Sequence, residues 1–140
     1  MATTNAVELL GGVPIFSELS KKELQAIAGA GKEVTRKDGA VLAKEGDPGA
    51  GFFLIMEGKA NVTVGGKPRT KLQRGDFFGE ISLLDQGPRT ATVTADGPVK
   101  LLGLTPWSFK RLIEQNPSIA AKMLKVMAQR LRASSRELSH

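Results

Sequence analysis

The chain contains no cysteine and no tyrosine, a single tryptophan, and a single histidine, His140, at its last position. Without thiols it cannot form a disulfide, hold a structural zinc through thiolates or use a cysteine nucleophile. A metal-dependent enzyme on a small jelly roll needs several histidines converging on one site, and one terminal histidine does not supply them. Met1 to Leu10 lacks a basic stretch followed by a long apolar run, and apolar residues nowhere accumulate to the ~20 of a membrane span. The chain therefore reads as cytoplasmic, with no membrane span, and the acceptor-like tripeptide Asn61-Val62-Thr63 is read as without consequence. Gly29-Ala30-Gly31 begins like a dinucleotide fingerprint, but Val34 stands where the third glycine belongs. These absences point to a binding module with no catalytic residue, no metal site and no cofactor.

What is present suits one compact domain over residues 1–140, since 140 residues allow a single core and not two. Hydrophobic residues make up 41% and charged residues 24%, which disfavours both disorder and a fibrous chain. The formal net charge of +6 is uneven: residues 1–106 hold 13 basic and 12 acidic side chains, residues 107–140 hold 7 and 2. Such a surplus can mark nucleic-acid or anionic-lipid binding; the simpler account of Lys110, Arg111, Lys122, Lys125, Arg130, Arg132 and Arg136 is the solvated face of packed helices.

The punctuation of the chain changes twice. Residues 1–31 form a helical start, in which Ser20-Lys21-Lys22-Glu23 is a capping box ahead of a short helix through Leu24, Ile27 and Ala28. From residue 32 to 105, short apolar or alternating runs are separated by turn residues, the pattern of a β-roll or jelly-roll barrel. The runs are 33–36, 41–44, 52–56, 60–64, 70–72, 90–95 and 99–104. The turns between them fall at Asp38-Gly39, Asp47-Pro48-Gly49, Glu57-Gly58, Gly65-Gly66, Arg74-Gly75-Asp76 and Asp96-Gly97-Pro98, and Gly65-Gly66 fits a tight hairpin. Residues 106–138 return to helical periodicity. Thr105 caps a helix that opens on Pro106, Asn116-Pro117 interrupts it, and a second helix carries Ile119, Met123, Met127 and Leu131 as a stripe expected to pack on the barrel. The fold class is thus mainly β with flanking helices: a roll with a short N-terminal helix and two C-terminal helices.

One segment of the β region does not read as a strand. In Phe77-Phe78-Gly79-Glu80-Ile81-Ser82-Leu83-Leu84, Gly79 lets the backbone approach a ligand, and residues 80–84 can make one helical turn whose N–H groups face an anion. Arg89 follows at a distance a short loop can fold back, and its guanidinium can hold a phosphate bidentately. From spacing alone, a plain Glu80–Arg89 salt bridge is the simpler account.

Phe78-Gly79-Glu80-Ile81-Ser82-Leu83-Leu84 followed by Pro88-Arg89-Thr90-Ala91-Thr92-Val93 resembles the phosphate-binding cassette of cyclic-nucleotide-binding domains. These occur in protein-kinase regulatory subunits, nucleotide-gated channels and catabolite-activator-type transcription factors. Phe53-Leu54-Ile55-Met56-Glu57-Gly58 resembles the family's strand-and-turn, and the order of elements agrees over roughly residues 10–135. The resemblance implies that Glu80 accepts a hydrogen bond from the ribose 2′-hydroxyl and that Arg89 pairs with the cyclic phosphate. It implies that N–H groups around Gly79, Glu80 and Ile81 and at Ala91 complete the cradle, with Ser82 in the same turn, and that Thr90 reaches the phosphate or the purine edge. Val62 and Leu72 fall at positions that pack on the base in channel-type members, and Arg130 where some of them place an arginine against the purine. The implied ligand is cAMP ahead of cGMP, and the implied partner is a separate effector protein reached through the last two helices, with a hinge at Asn116-Pro117. The chain stops at His140 without room for the DNA-binding module of the activator-type members. Two alternatives stand beside this reading: a ligand-independent interaction domain of the same fold, and a detached regulatory piece of a larger channel, enzyme or transcription factor.

Overall fold

A computed structural model describes residues 2–48, 51–85 and 87–138. Gly49 of the second expected turn, Gln86 of the cassette and His140 lie outside them. The elements in order are α1 (Ala2–Gly11), a 3-10 turn (Pro14–Phe16), α2 (Lys21–Ala30), β1 (Lys32–Arg36), β2 (Val41–Ala43), β3 (Phe52–Val64) and β4 (Lys67–Leu72). After these come β5 (Phe77–Phe78), a second 3-10 turn (Ile81–Leu83), β6 (Thr92–Leu104), α3 (Pro106–Gln115) and α4 (Pro117–Leu138). No helix of the described residues is long and apolar enough to cross a membrane.

The strands form one antiparallel six-stranded sheet along the path β1-β6-β3-β4, with β2 also on β6 and β5 also on β3. It is the β-roll that the run of short strands implied, and its sheet is not closed: among the described strands β1 and β4 end the path without pairing to each other. Two expectations are corrected. Glu57-Gly58 and Asp96-Gly97-Pro98 are not turns between strands but irregularities inside β3 and β6, each 13 residues long, with register shifts around Glu57 and Lys59. The reason lies in how close the two strands come. Gly58 sits at φ 94°, and a Cβ there would run into the Pro98 carbonyl and lie 3.0 Å from Val99 Cα. A glycine in a strand therefore marks a bulge and close backbone approach here, as it also can mark a turn. Gly65-Gly66 does make the β3–β4 hairpin.

Successive strand residues point to opposite faces, so the continuous apolar runs of β3 and β6 serve two cores. Leu54 and Leu102 face the helices, packed with Leu10, Phe16, Ile27 and Phe109. Ile55 and Leu101 face the inside of the roll, with Val93, Ala95 and Val99. Phe16 meets Phe52 edge-on at 5.6 Å between ring centres, which ties the N-terminal turn to the sheet.

The helical start is richer than one helix. The capping box forms as expected, Glu23 N–H donating to Ser20 Oγ at 3.2 Å and Ser20 N–H to Glu23 Oε1 at 2.8 Å. Ahead of it lies α1, unanticipated, which buries Ala6, Val7 and Leu10 and stops at Gly11-Gly12. Thr105 caps α3 through Ser108 N–H at 3.1 Å. The α4 stripe needs correction. Ile119 and Met123 are buried in the core that the helices share with β3 and β6, while Met127 and Leu131 are exposed. A four-residue spacing drifts about 40° per step from the 3.6-residue helical repeat, so the stripe leaves the buried face, and Val126 takes the next buried place.

Candidate functional site

The segment from Gly79 to Ala91 crosses from β5 to β6 and builds a cavity of about 410 Å³. Gly79, Glu80, Ser82, Arg89, Thr90 and Ala91 all line it, together with Ala43, Phe78 and Val93 from the roll and with Asp85, Gly87 and Pro88. Residues brought together by the cassette thus share one concave surface with an apolar wall. Ile81 opens the 3-10 turn Ile81–Leu83, whose bonds run from Ser82 N–H to Gly79 C=O at 3.1 Å and from Leu83 N–H to Glu80 C=O at 3.3 Å.

Gly79 takes φ 81°, a conformation that costs any residue with a Cβ. A Cβ at Gly79 would also strike the Gly51 carbonyl and the Arg89 guanidinium. Ser82, the one buried polar residue among the described residues, engages its hydroxyl internally: it donates towards Gly51 C=O at 2.7 Å and Gly79 C=O at 2.8 Å and accepts from Gly51 N–H at 3.1 Å.

Arg89 is held by backbone and side chain alike. Its N–H donates to Asp47 C=O at 2.7 Å, its C=O accepts from Gly46 N–H at 2.9 Å, and Pro48 and Pro88 bridge beside it. Nη2 donates to Gly51 C=O at 3.0 Å. Burial pushes the guanidinium below its ordinary range. An arginine does not lose its proton in practice, so the shift expresses a cation partly stripped of water. Such a cation on a cavity wall favours an anion.

The other expected contacts are placed differently. Val62 pairs in register with Val93, which lines the cavity, and Leu72 sits opposite Ala60; both are partly buried against the inner core and neither lines the cavity. Arg130 is exposed on α4, away from the cavity, because α4 packs on the N-terminal 3-10 turn and on α3. Two residues that sequence reasoning missed support the site. Gly51 accepts from both Ser82 and Arg89, and its only sequence signal is being a glycine just before a strand. Asp85 accepts from Gly87 N–H at 3.2 Å, an Asx-type turn readable from Asp-x-Gly that shapes the approach to Arg89.

The comparisons agree with this geometry. The family described as cyclic nucleotide-binding domain matches residues 33–116. A cAMP-dependent protein kinase regulatory subunit of Colletotrichum orbiculare is 39% identical over 108 residues, 76% of this chain and 28% of that protein. A cyclic nucleotide-gated potassium channel of Rhizobium etli is 35% identical over 123 residues, 88% of this chain and 34% of its own length. The chain thus spans about a quarter to a third of these curated relatives. Among solved structures, the N-terminal domain of a transcriptional regulator from Streptomyces coelicolor is 31% identical and superposes with a TM-score of 0.86 over 93% of this chain and 94% of that one. With the family matching residues 33–116 and the roll and flanking helices superposing on a solved neighbour, the chain belongs to the cyclic nucleotide-binding domain family.

Proposed function

We propose that the cavity binds a cyclic nucleotide, cAMP in preference to cGMP, and that α3 and α4 report its occupancy. One observation carries the reading: Glu80 and a half-buried Arg89 line the same 410 Å³ cavity, a size typical of small-molecule sites. In this reading Arg89 pairs with the cyclic phosphate, Glu80 accepts from the ribose 2′-hydroxyl, and the N–H groups of Gly79 to Ile81 and of Ala91 complete the anion cradle. Ser82 keeps Gly51 and Gly79 in position. Thr90 reaches the phosphate or the purine edge, and the base rests towards Val62 and Leu72. That apolar wall favours adenine, because guanine's additional polar groups lose free energy when buried unpaired. The names of the kinase relatives support the same choice.

A binding domain signals only if ligand favours one of two arrangements. Arg130 reaches the purine only after α4 leaves its seat on the N-terminal turn, with Asn116, whose backbone breaks the helical run at φ −134° and ψ 73°, as the hinge. The effector is then a separate protein or a further part of a longer chain, reached through α4.

Titration calorimetry with cAMP on the intact chain and on Arg89→Leu tests the site. Losing charge-assisted hydrogen bonds of about 1.5–3 kcal/mol lowers affinity by roughly one to two decades. Binding equal within twofold in the variant removes Arg89 from the site. No heat from the unmodified chain at millimolar cAMP removes the ligand and favours the interaction-domain alternative.

A further inference from the structure

A second concave surface lies apart from the cassette. It is a groove of about 280 Å³ between β1, the end of β6 and the start of α3, lined among others by Lys32, Val34, Arg36, Phe53, Trp107 and Ser108. Three features define its chemistry. Its floor is apolar and aromatic, and Trp107, the chain's single tryptophan, is 64% exposed at its side. Its lip is cationic, since Lys32 and Arg36 both line it and both are exposed, and among the described residues no carboxylate lines it. The only ion pair from β1 among the described residues, Glu33 with Lys100, involves neither cation. Finally, β1 ends the path of the sheet and pairs only with β6 among the described strands, so the groove opens along a sheet edge.

Charged side chains on an edge strand can serve simply to prevent edge-to-edge pairing. That explains a charge anywhere on β1. It does not explain why two cations flank one open aromatic cavity that no carboxylate of the described residues lines. Lys32 and Arg36 are four residues apart on a strand, which separates them by about 13 Å. An extended segment with carboxylates at positions i and i+4 would match both cations, and its residue i+2, on the same side, would meet Val34 and the cavity.

We propose that this groove docks an acidic segment of a partner protein, with a large apolar or aromatic side chain entering the cavity beside Trp107 and a carboxylate two residues to either side meeting Lys32 and Arg36. The proposal does not rest on the nucleotide reading and would stand if that reading failed.

The tryptophan provides the measurement. The probe is a capped peptide containing Glu-Thr-Phe-Thr-Glu, titrated into the full chain while Trp107 emission is followed. The expected result is a saturable blue shift with a Kd below roughly 200 μM, in the range of short peptide contacts. Affinity should fall at least tenfold in Lys32→Glu/Arg36→Glu, and equally when the peptide's Phe becomes Ala. Lys32→Gln/Arg36→Gln should fall between, and melting curves of all variants should match the unmodified chain, both side chains being exposed. If the charge-reversed variant melts early, the Gln variant and the Ala peptide carry the test. No saturable shift up to 1 mM, an affinity indifferent to Lys32 and Arg36, or a shift produced by vesicles of anionic phospholipid or a single-stranded oligonucleotide but not by the peptide would each overturn the proposal.

Discussion

The cassette and the C-terminal helix are held in opposite ways. Ser82 and Arg89 are tied to Gly46, Asp47 and Gly51 by hydrogen bonds through Ser82 Oγ, Arg89 Nη2 and the Arg89 backbone, and those between Ser82 Oγ and Gly51 are buried. Helix α4 buries Ile119, Met123 and Val126 and otherwise rests on exposed or partly exposed polar links: Lys122 Nζ to Glu23 at 2.6 Å, Ser118 Oγ to Glu23 at 2.5 Å and Lys125 Nζ to Glu18 at 3.4 Å. Along the same helix Leu124, Met127 and Leu131 face solvent. Buried bonds to backbone make a site that keeps its shape, whereas exposed ion pairs are weak and exchangeable. A rigid cradle beside a lightly fastened helix is what a ligand-driven switch requires.

The comparison breaks most completely at Gly79. Gly79→Val forces a β-branched side chain into a positive φ and into the Gly51–Arg89 contact, costing about 1–3 kcal/mol from the backbone alone with the collision in addition. Cyclic-nucleotide binding should vanish in calorimetry while far-ultraviolet circular dichroism keeps the helices of the unmodified chain. Retained binding within threefold would show that the cassette is not rigid.

Glu80→Gln sharpens the rigid side further. Affinity for cAMP should drop about tenfold, the size of one charge-assisted hydrogen bond, while 2′-deoxy-cAMP loses little. Equal losses for the two ligands would take the 2′-hydroxyl away from Glu80.

The loosely held side is tested at Glu23. The Lys122 ammonium, with help from the Ser118 hydroxyl and the Ser20 N–H, holds this carboxyl at about 2 against an ordinary 4.5. A depressed carboxyl adds stability that is complete above the unfolded-state value near 4.5 and is lost as pH falls through the folded value near 2. Glu23→Gln should therefore lower the melting temperature at pH 7 by roughly 3–5 °C, from about 1 kcal/mol for a partly exposed pair. The difference should shrink below pH 4.5 and disappear near pH 2. With α4 freed, cAMP affinity should rise by roughly two- to fivefold; an unchanged affinity would mean that these links do not restrain the switch.

The smallest effect is expected at Thr90, which is exposed at the cavity rim. Thr90→Ala should reduce cGMP affinity roughly threefold more than cAMP affinity, a fraction of one neutral hydrogen bond, read by competition titration. Equal losses would deny Thr90 any part in telling the bases apart.

Much of this was legible because the signals are local. Ser20 and Glu23 lie within one turn and can find each other only in a helix; Thr105-Pro106 starts a helix wherever it sits; Gly65-Gly66 leaves a hairpin little choice. Residues 79–91 are likewise continuous in the chain, so the grouping of Glu80 and Arg89 on one cavity could be expected before any coordinates. Helix α1 escaped because its apolar residues, Ala6, Val7 and Leu10, are too few to display a period on their own and acquire a partner only when α2 and the sheet are in place.

The residues themselves determined the class of fold, the helix starts and the anion-seeking chemistry of residues 79–91, since each follows from interactions a few positions apart. Tertiary structure decided the rest. Only the meeting of β3 and β6 makes Gly58 a bulge and not a turn, only the fold brings Gly51 under both Ser82 and Arg89 across 31 and 38 positions, and only the packing of α4 on the N-terminal turn takes Arg130 away from the cavity. Those outcomes depend on which distant surfaces come together, and a linear pattern carries no such pairing.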